Sequence, residues 1–233
     1  MTQPRGRPRS FDEGEVLERA LEAFWTRGFD ATSLDDLTAA TGLARPSLFA
    51  AFGNKEAIYV RAIQRYGDRM RATFEASFTE QAPLDQAFER FFMASIDMYC
   101  TGEDGQRGCF GFCTAPAAAV GHPAIRQALA GAIESTDARF EAELRRAQTR
   151  GQLSPAADTQ RLARTASAML HSIAVRARSG AARGELRLIA TQAVEDMLRD
   201  ARVSPLTRGP APRRVGSKPK VKVKAKAKAK ASS

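Results

Sequence analysis

Helix boundaries crowd into the span from Ser33 to Asn54, and that crowding constrains the chain more than any other feature of its 233 residues. Ser33-Leu34-Asp35-Asp36 has the form of a capping box, in which a hydroxyl and an acid three residues on satisfy backbone N–H groups reciprocally. Leu34, Leu37 and Ala40 follow at helical spacing, and Thr41-Gly42 stops the helix where glycine can adopt the left-handed backbone of a tight turn. The next segment, ARPSLFAAFGN, begins at once. Pro46 is tolerated in its first turn, because the N–H that proline lacks has no intrahelical partner there. Leu48 and Phe52, four apart, point to one side. Gly53-Asn54 ends the segment, and Asn54 caps a long helix that starts at Lys55 and carries Ile58, Ala62, Ile63 and Tyr66. The middle helix is too short to be stable alone. It must be held by Leu48 and Phe52 while its other face, with Arg45, Ser47, Ala50 and Ala51, stays free.

Upstream, Ser10-Phe11-Asp12-Glu13 reads as another capping box, with Ser10 as N-cap. Val16, Leu17, Ala20, Leu21 and Phe24 recur at i, i+3, i+4, and Gly28 ends that helix with Phe29 placed to fold back on its last turn. Residues 10 to 53 are therefore three helices, the second and third joined by a short turn at Gly42, which is a helix-turn-helix. A slim helix with one anchored face and one free face fits a B-DNA major groove about 12 Å wide. The competing reading is a generic small helical bundle.

Charge separates these readings. The net charge is +10, and the stretch from Pro205 onward, with Arg208, Arg213, Arg214 and seven lysines and no acid, carries all of it. Arg5, Arg7 and Arg9 add a second basic segment at the other end. A folded body with two basic arms points to a polyanion, and nucleic acid is the obvious one. The body is rich in alanine, leucine, glutamate and arginine, so its bias is helical. No apolar run reaches the roughly 18 residues that span a bilayer, and MTQPRGRPRS is followed by no apolar segment of a secretory signal. Three cysteines outside any disulfide-dense frame fit a reducing cytoplasm.

Thr32-Ser33-Leu34-Asp35-Asp36-Leu37, Gly42-Leu43, Ser47-Leu48-Phe49 and Phe52-Gly53-Asn54-Lys55-Glu56 together resemble the TetR family of bacterial transcriptional regulators. The resemblance runs from residue 10 to about 68, with the helix-turn-helix at about 32–51, and is only architectural beyond. It implies an all-α fold of about nine to ten helices, in which a three-helix DNA-binding domain at 10–68 joins a larger ligand-binding and dimerisation domain at 69–202. It also implies a homodimeric repressor that binds a palindromic operator in double-stranded DNA and is released by a small-molecule inducer. By position, Thr32 and Ser33 touch phosphate at the entry to the second helix. Arg45, Pro46 and Ser47 read or line base edges, and Lys55 holds phosphate at the start of the fourth helix. Phe49 stands where the family usually has a tyrosine, so a phosphate-binding hydroxyl is missing. Ala50 stands where a polar residue often sits, which shifts base reading toward Arg45 and thymine methyl contacts.

Arg5-Gly6-Arg7-Pro8-Arg9, the arm at 1–9, resembles the core of an AT-hook, whose arginines enter the minor groove of A·T-rich DNA, the alternative being an ordinary solubilising N-terminus. The tail at 203–233 has lysines spaced by two and no large apolar side chain to pack, which predicts a disordered segment, read either as a sequence-blind electrostatic tether or as a solvated tail without function.

The body reads as five or six more helices. Phe88, Phe91, Phe92, Ile96 and Tyr99 make an apolar face after Pro83, residues 102–108 form a loop, and His122-Pro123 opens a long helix ending near Arg150-Gly151. Two amphipathic helices follow, at 156–178 with Leu162, Ala166, Met169, Leu170 and Ile173, and at 184–200 with Leu186, Ile189, Ala193 and Met197. In the family the resemblance indicates, the last two helices pair with their twins across the dimer. Phe92, Ile96, Tyr99, Cys109, Phe112, Cys113 and Met169 are candidates to line an inducer cavity, although each such residue also suits a plain core. Cys109 and Cys113 share a face if 109–113 is helical. They could then meet an electrophile or hold a soft metal such as Cu(I), or serve as small buried hydrophobes.

Catalysis finds little support. His122 and His171 are the only histidines, and no Gly-rich phosphate loop, G-x-S-x-G elbow, paired metal-binding histidines or zinc spacing is present, leaving only a Cys109/His122 pair to consider. No cofactor signature is visible. The alternative function is a nucleoid-type protein that coats DNA through its basic tail. A body of this size is more than a coater needs.

Overall fold

The computed structural model describes residues 11–102, 105–199 and 201, so the expectations placed on the arm at 1–9 and the tail at 203–233 lie outside the described residues. Among the described residues the chain is all-α, with nine helices: α1 Glu13–Ala31, α2 Leu34–Thr41, α3 Arg45–Phe52, α4 Lys55–Ser77, α5 Leu84–Tyr99, α6 Phe110–Ala118, α7 Pro123–Thr149, α8 Thr159–Arg178 and α9 Arg183–Arg199.

Local signals set most of these boundaries. Ser33 caps α2 with both halves of the capping box formed, and Gly42 closes it at φ 71°. Asn54 caps α4 by accepting from the Ala57 N–H at 2.8 Å. The start of α1 differs from expectation. Asp12, not Ser10, is the N-cap, and its carboxylate accepts from Gly14 N at 2.7 Å and Glu15 N at 3.2 Å. Two acceptors lie two residues apart here, and the charged one, next to the positive end of the helix dipole, wins. Gly28, at φ 80°, breaks the helical backbone within α1. Phe29 then folds back to stack on Phe24 with ring centroids 6.2 Å apart.

α1 packs on α2, α4 and α6, while α4 continues across residue 68 to lie against α5 and α7. α7, α8 and α9 pack in sequence, with α5 between α4 and α9. The core is continuous from head to body. Its head end is aromatic, with Phe24, Trp25, Tyr59, Tyr66 and Phe110 meeting edge-on or tilted. A second aromatic knot in the body joins Phe74, Phe78, Phe88 and Phe91 to Phe140 of α7. Such pairs add about 0.5–1.5 kcal/mol each beyond the area they bury.

Candidate functional site

α3 is pinned by Leu48 and Phe52, which are 1% and 5% exposed. The opposite face presents Arg45, Pro46, Ser47, Phe49 and Ala50 to solvent. The free helix surface is thus the one that the spacing of Leu48 and Phe52 requires, and Phe49 is its one large apolar group. Arg45 Nη2 lies 2.7 Å from Asp35 Oδ1, with both side chains exposed. An exposed pair of this kind is worth about 0–1 kcal/mol, so DNA can take the guanidinium from Asp35 at little cost. Asp35→Ala removes both the competitor and a negative charge on this face. It is expected to tighten binding to operator and random DNA by up to about fivefold, read by fluorescence anisotropy. A weaker complex would show that Asp35 orients Arg45 rather than competing for it.

The start of α2 is held by the cap. Asp36 Oδ2 accepts from Ser33 N at 2.8 Å and from Ser33 Oγ at 2.7 Å, and Arg27 pairs with the other oxygen. Hydrogen bonds from Ser33 keep the Asp36 carboxyl at about 2. Because the folded value is depressed from 3.8, this contribution is complete above the unfolded value and is lost as the pH falls through about 2. Lys55 Nζ lies 3.4 Å from the Asp30 carbonyl and 4.5 Å from the centre of the Phe29 ring, at the junction of α1 and α4. Thr32 departs from the phosphate-contact expectation. It is fully buried, and its hydroxyl donates to the Gly28 carbonyl at 2.6 Å. With its N–H directed to the Phe29 carbonyl, Thr32 fastens the loop after the Gly28 break.

The head is tied to the body through α6 and the loop before it. Trp25 Nε1 donates to the Gly108 carbonyl at 3.2 Å in a buried contact. Arg107 pairs with Glu22 and sits 5.2 Å from the Trp25 ring centre. From the end of α8, Arg178 Nη1 donates to the Trp25 and Arg107 carbonyls at 3.3 and 3.2 Å. On the other side of α6, the Tyr59 hydroxyl meets Thr114 Oγ1 at 2.5 Å. His122 Nδ1 lies 3.5 Å from Glu56, with its ring on Phe29 at 4.6 Å. His122 is therefore a joint residue.

α6 also forms one wall of a cavity of about 270 Å³ enclosed by α4, α5, α6, α7 and α8. Of the expected lining residues, Tyr99, Cys109 and Phe112 reach it. Phe92 and Ile96 do not, and sit instead against the core on the same helix as Tyr99. Met169 packs partly buried against the core, and the Cys113 thiol turns to the Ala174 carbonyl at 3.5 Å. The walls that sequence reasoning missed come from α4, with Ile63, Tyr66, Met70 and Phe74, and from Leu129 and Arg139 of α7 and Leu170 of α8. The α4 set recurs at three- and four-residue spacing, which is visible in the sequence as an apolar helix face. Tyr66 and Tyr99 line it with their rings only, since their hydroxyls are buried beyond its reach, close to one another and to the Cys109 thiol.

Burial of the thiols favours their reading as small buried hydrophobes over the sensing chemistry. Cys109, at the N-cap of α6, is buried, and burial pushes its thiol up to about 11. Burial also raises Cys113. Both therefore stay protonated near neutral pH, whereas attack on an electrophile and metal ligation need the thiolate. All three cysteines are free, and among the described residues no three His, Cys, Asp or Glu side chains are grouped to hold a metal. No described helix is long and apolar enough to cross a membrane.

A helix-turn-helix head presenting one short helix, tied through α6 to a body with an apolar cavity, defines a two-part DNA-binding regulator. Residues 16–62 match the family profile described as bacterial regulatory proteins, tetR family. Residues 89–192 match that of the tetracyclin repressor-like C-terminal domain. The HTH-type transcriptional repressor ComR of Escherichia coli K12 is 34% identical over 193 residues, 80% of this chain and 89% of ComR. The chain belongs to the TetR family of bacterial regulatory proteins. Among solved structures, a cysteine mutant of the TetR family regulator CifR complexed with 26-bp operator DNA superposes with a TM-score of 0.74. It is 27% identical and covers 81% of this chain and 98% of its own. A TetR family regulator from Cytophaga hutchinsonii, 21% identical with a TM-score of 0.70, covers 84% of this chain and 100% of its own, and shares the fold.

Proposed function

We propose that this chain is a homodimeric transcriptional repressor that inserts α3 into the major groove of a palindromic operator and lets go when a small molecule fills the cavity. The observation that carries the DNA reading is the division of α3 into a buried Leu48–Phe52 face and an exposed face of Arg45, Pro46, Ser47 and Phe49. Ser33 and Lys55 flank it as phosphate contacts, and the arm arginines Arg5, Arg7 and Arg9 extend the reading to the minor groove. That ComR is a repressor and that CifR was solved with operator DNA supports the same assignment. Pairing through α8 and α9 is supported by Val175 and Leu188, large apolar residues 56% and 59% exposed on those helices. A two-fold dimer matches half-sites about one helical turn apart. The division of labour follows, with DNA binding at 10–68 and dimer contacts at 69–202, while the ligand cavity draws on both because α4 brings Ile63 and Tyr66 to its wall.

Arg45→Ala is expected to cost about 1–3 kcal/mol on the operator and to weaken discrimination between bases. Lys55→Ala should weaken operator and scrambled DNA alike, since phosphate carries no sequence information. Equal losses on both DNAs for Arg45→Ala would remove its assignment as a base reader. A footprint confined to one palindrome supports the repressor. Uniform protection would support the sequence-blind coater that the tail alone suggests.

A further inference from the structure

We propose that the cavity takes a small amphiphilic monocarboxylate, its carboxylate paired with Arg139 at the mouth and its hydrocarbon body running inward past Phe112 to the space beside Gly111. This rests on the reading of the cavity as the effector site and names the class of molecule that fills it.

The cavity is polar at one end and apolar at the other. Its mouth lies between α4 and α7, where Gln64, Asp68, Arg71 and Ser135 are exposed, while Phe74, Phe91 and Leu170 of its inner walls are buried. A molecule with one charged end and one hydrocarbon end matches that gradient. A charge carried inward would lose its water with nothing to replace it.

Arg139 is the cation that this mouth leaves over. Leu129, Ala132, Thr136 and Arg139 all line the cavity and follow at three- and four-residue spacing, so Arg139 belongs to the stripe of α7 that faces it. It is half-buried, and among the described residues its guanidinium has no ion pair or hydrogen bond. The other charges of the lining offset each other, with Arg71 3.1 Å from Asp68 and 4.0 Å from Glu75. Asp137 is two residues from Arg139, but that spacing turns it about 200° around the helix, and it acts on His171 of α8 instead. A guanidinium stays charged at any working pH and offers a planar fork that fits both oxygens of a carboxylate. Its partial burial strengthens that pairing over one at an open surface.

Gly111 marks where the hydrocarbon goes. It is buried on α6 and lines the cavity, yet a Cβ at that position would meet no atom within 4 Å outside its own stretch of chain. Buried positions are normally packed in contact, so the space beside Gly111 is part of the cavity. Glycine is a poorer helix former than alanine, and here the missing methyl leaves room rather than relieving a clash. At a share of about 30 Å³ per water-sized group, the cavity of about 270 Å³ holds roughly nine such groups. A medium-chain acid fits, and a polycyclic one does not.

The experiment is calorimetric titration of the full chain without DNA, with octanoate, hexanoate, acetate and 2-octanone as probes. Octanoate is expected to bind once per protomer. Each buried methylene is worth a factor of about four, so hexanoate should bind about fifteenfold more weakly. Acetate offers the charge without the body and 2-octanone the body without the charge, and both should bind more weakly than octanoate. Arg139→Met keeps the apolar stem and should weaken octanoate about tenfold or more while leaving 2-octanone unchanged. Arg139→Lys should recover part of that loss. Gly111→Ala should unfold at the same or a higher urea concentration than the parent and cut the octanoate-to-hexanoate ratio to about fourfold. No octanoate binding, equal octanoate affinity in Arg139→Met, or 2-octanone bound as tightly as octanoate would each overturn the carboxylate anchor. Acetate bound as tightly as octanoate would overturn the proposal by moving carboxylate binding outside the cavity, and an unchanged chain-length ratio in Gly111→Ala would overturn the inward course of the body. Operator release is measured separately. Octanoate that binds through Arg139 yet leaves the protein on its operator would sink the effector reading and keep the ligand assignment, and a failed footprint leaves the binding result intact.

Discussion

Deleting residues 203–233 is expected to lower affinity for operator and random DNA by the same large factor and to flatten the salt dependence of both. Each lysine that neutralises a phosphate releases a counterion and contributes about 0.9 to the slope of log affinity against log salt. With Lys218, Lys220, Lys222, Lys224, Lys226, Lys228 and Lys230 all engaged, the slope should fall by about six. The affinity that is lost between about 50 and 200 mM salt should then shrink by nearly four orders of magnitude. Base preference should survive, because Arg45 and Ser47 remain on α3. The measurement is a salt titration of both proteins on both DNAs. An unchanged slope would mean that the tail never touches the backbone, and a loss confined to the operator would mean that it reads sequence.

The second large effect concerns the joint between head and body. Trp25→Ala should cost about 3–5 kcal/mol in urea unfolding. The side chain is 1% exposed and packs on Tyr66 and Phe110, so its removal opens a cavity where α1, α4 and α6 meet. A loss of that size is a large fraction of the 5–15 kcal/mol that holds a typical domain together. Trp25→Phe separates packing from hydrogen bonding. It keeps a ring in the site but strands the buried Gly108 carbonyl, at a cost of about 1–3 kcal/mol. Gly108 lies close against α8. A Cβ at that position would lie 2.6 Å from the Ala174 carbonyl, so backbone and α8 are already in contact there. If Trp25→Phe proves as stable as the parent, the indole bond is no part of the joint.

These expectations draw on two kinds of information. The helix boundaries at Ser33, Gly42 and Asn54, and the break at Gly28 inside α1, were legible in the sequence because each depends on residues within one turn. A hydroxyl three residues from an acid, or a glycine free to reach positive φ, acts the same way in a peptide as in a protein. The buried and free faces of α3 were legible too, since Leu48 and Phe52 are four apart on an eight-residue helix and a face is fixed by 3.6-residue periodicity. The DNA-facing side therefore followed from the chain alone. The α1 start was misread because Ser10 and Asp12 are both competent caps, and the local pattern does not rank them.

Packing decided the rest. Phe92, Ile96 and Tyr99 belong to one apolar face of α5, yet only Tyr99 reaches the cavity, because what lies opposite each residue is set by α4, α6 and α7 rather than by α5. Thr32 reads as a surface threonine at a helix entry, but the break at Gly28 turns it inward to a carbonyl four residues back. Arg45 and Asp35 are ten apart in sequence and meet only because the Gly42 turn sets α3 beside α2. Tyr66 and Tyr99 meet at the cavity from different helices, α4 and α5. A sequence records which residues are apolar and where helices begin. Only the assembled helices determine which apolar face meets another side chain and which meets a space large enough for a ligand, because that depends on volumes filled from several elements at once.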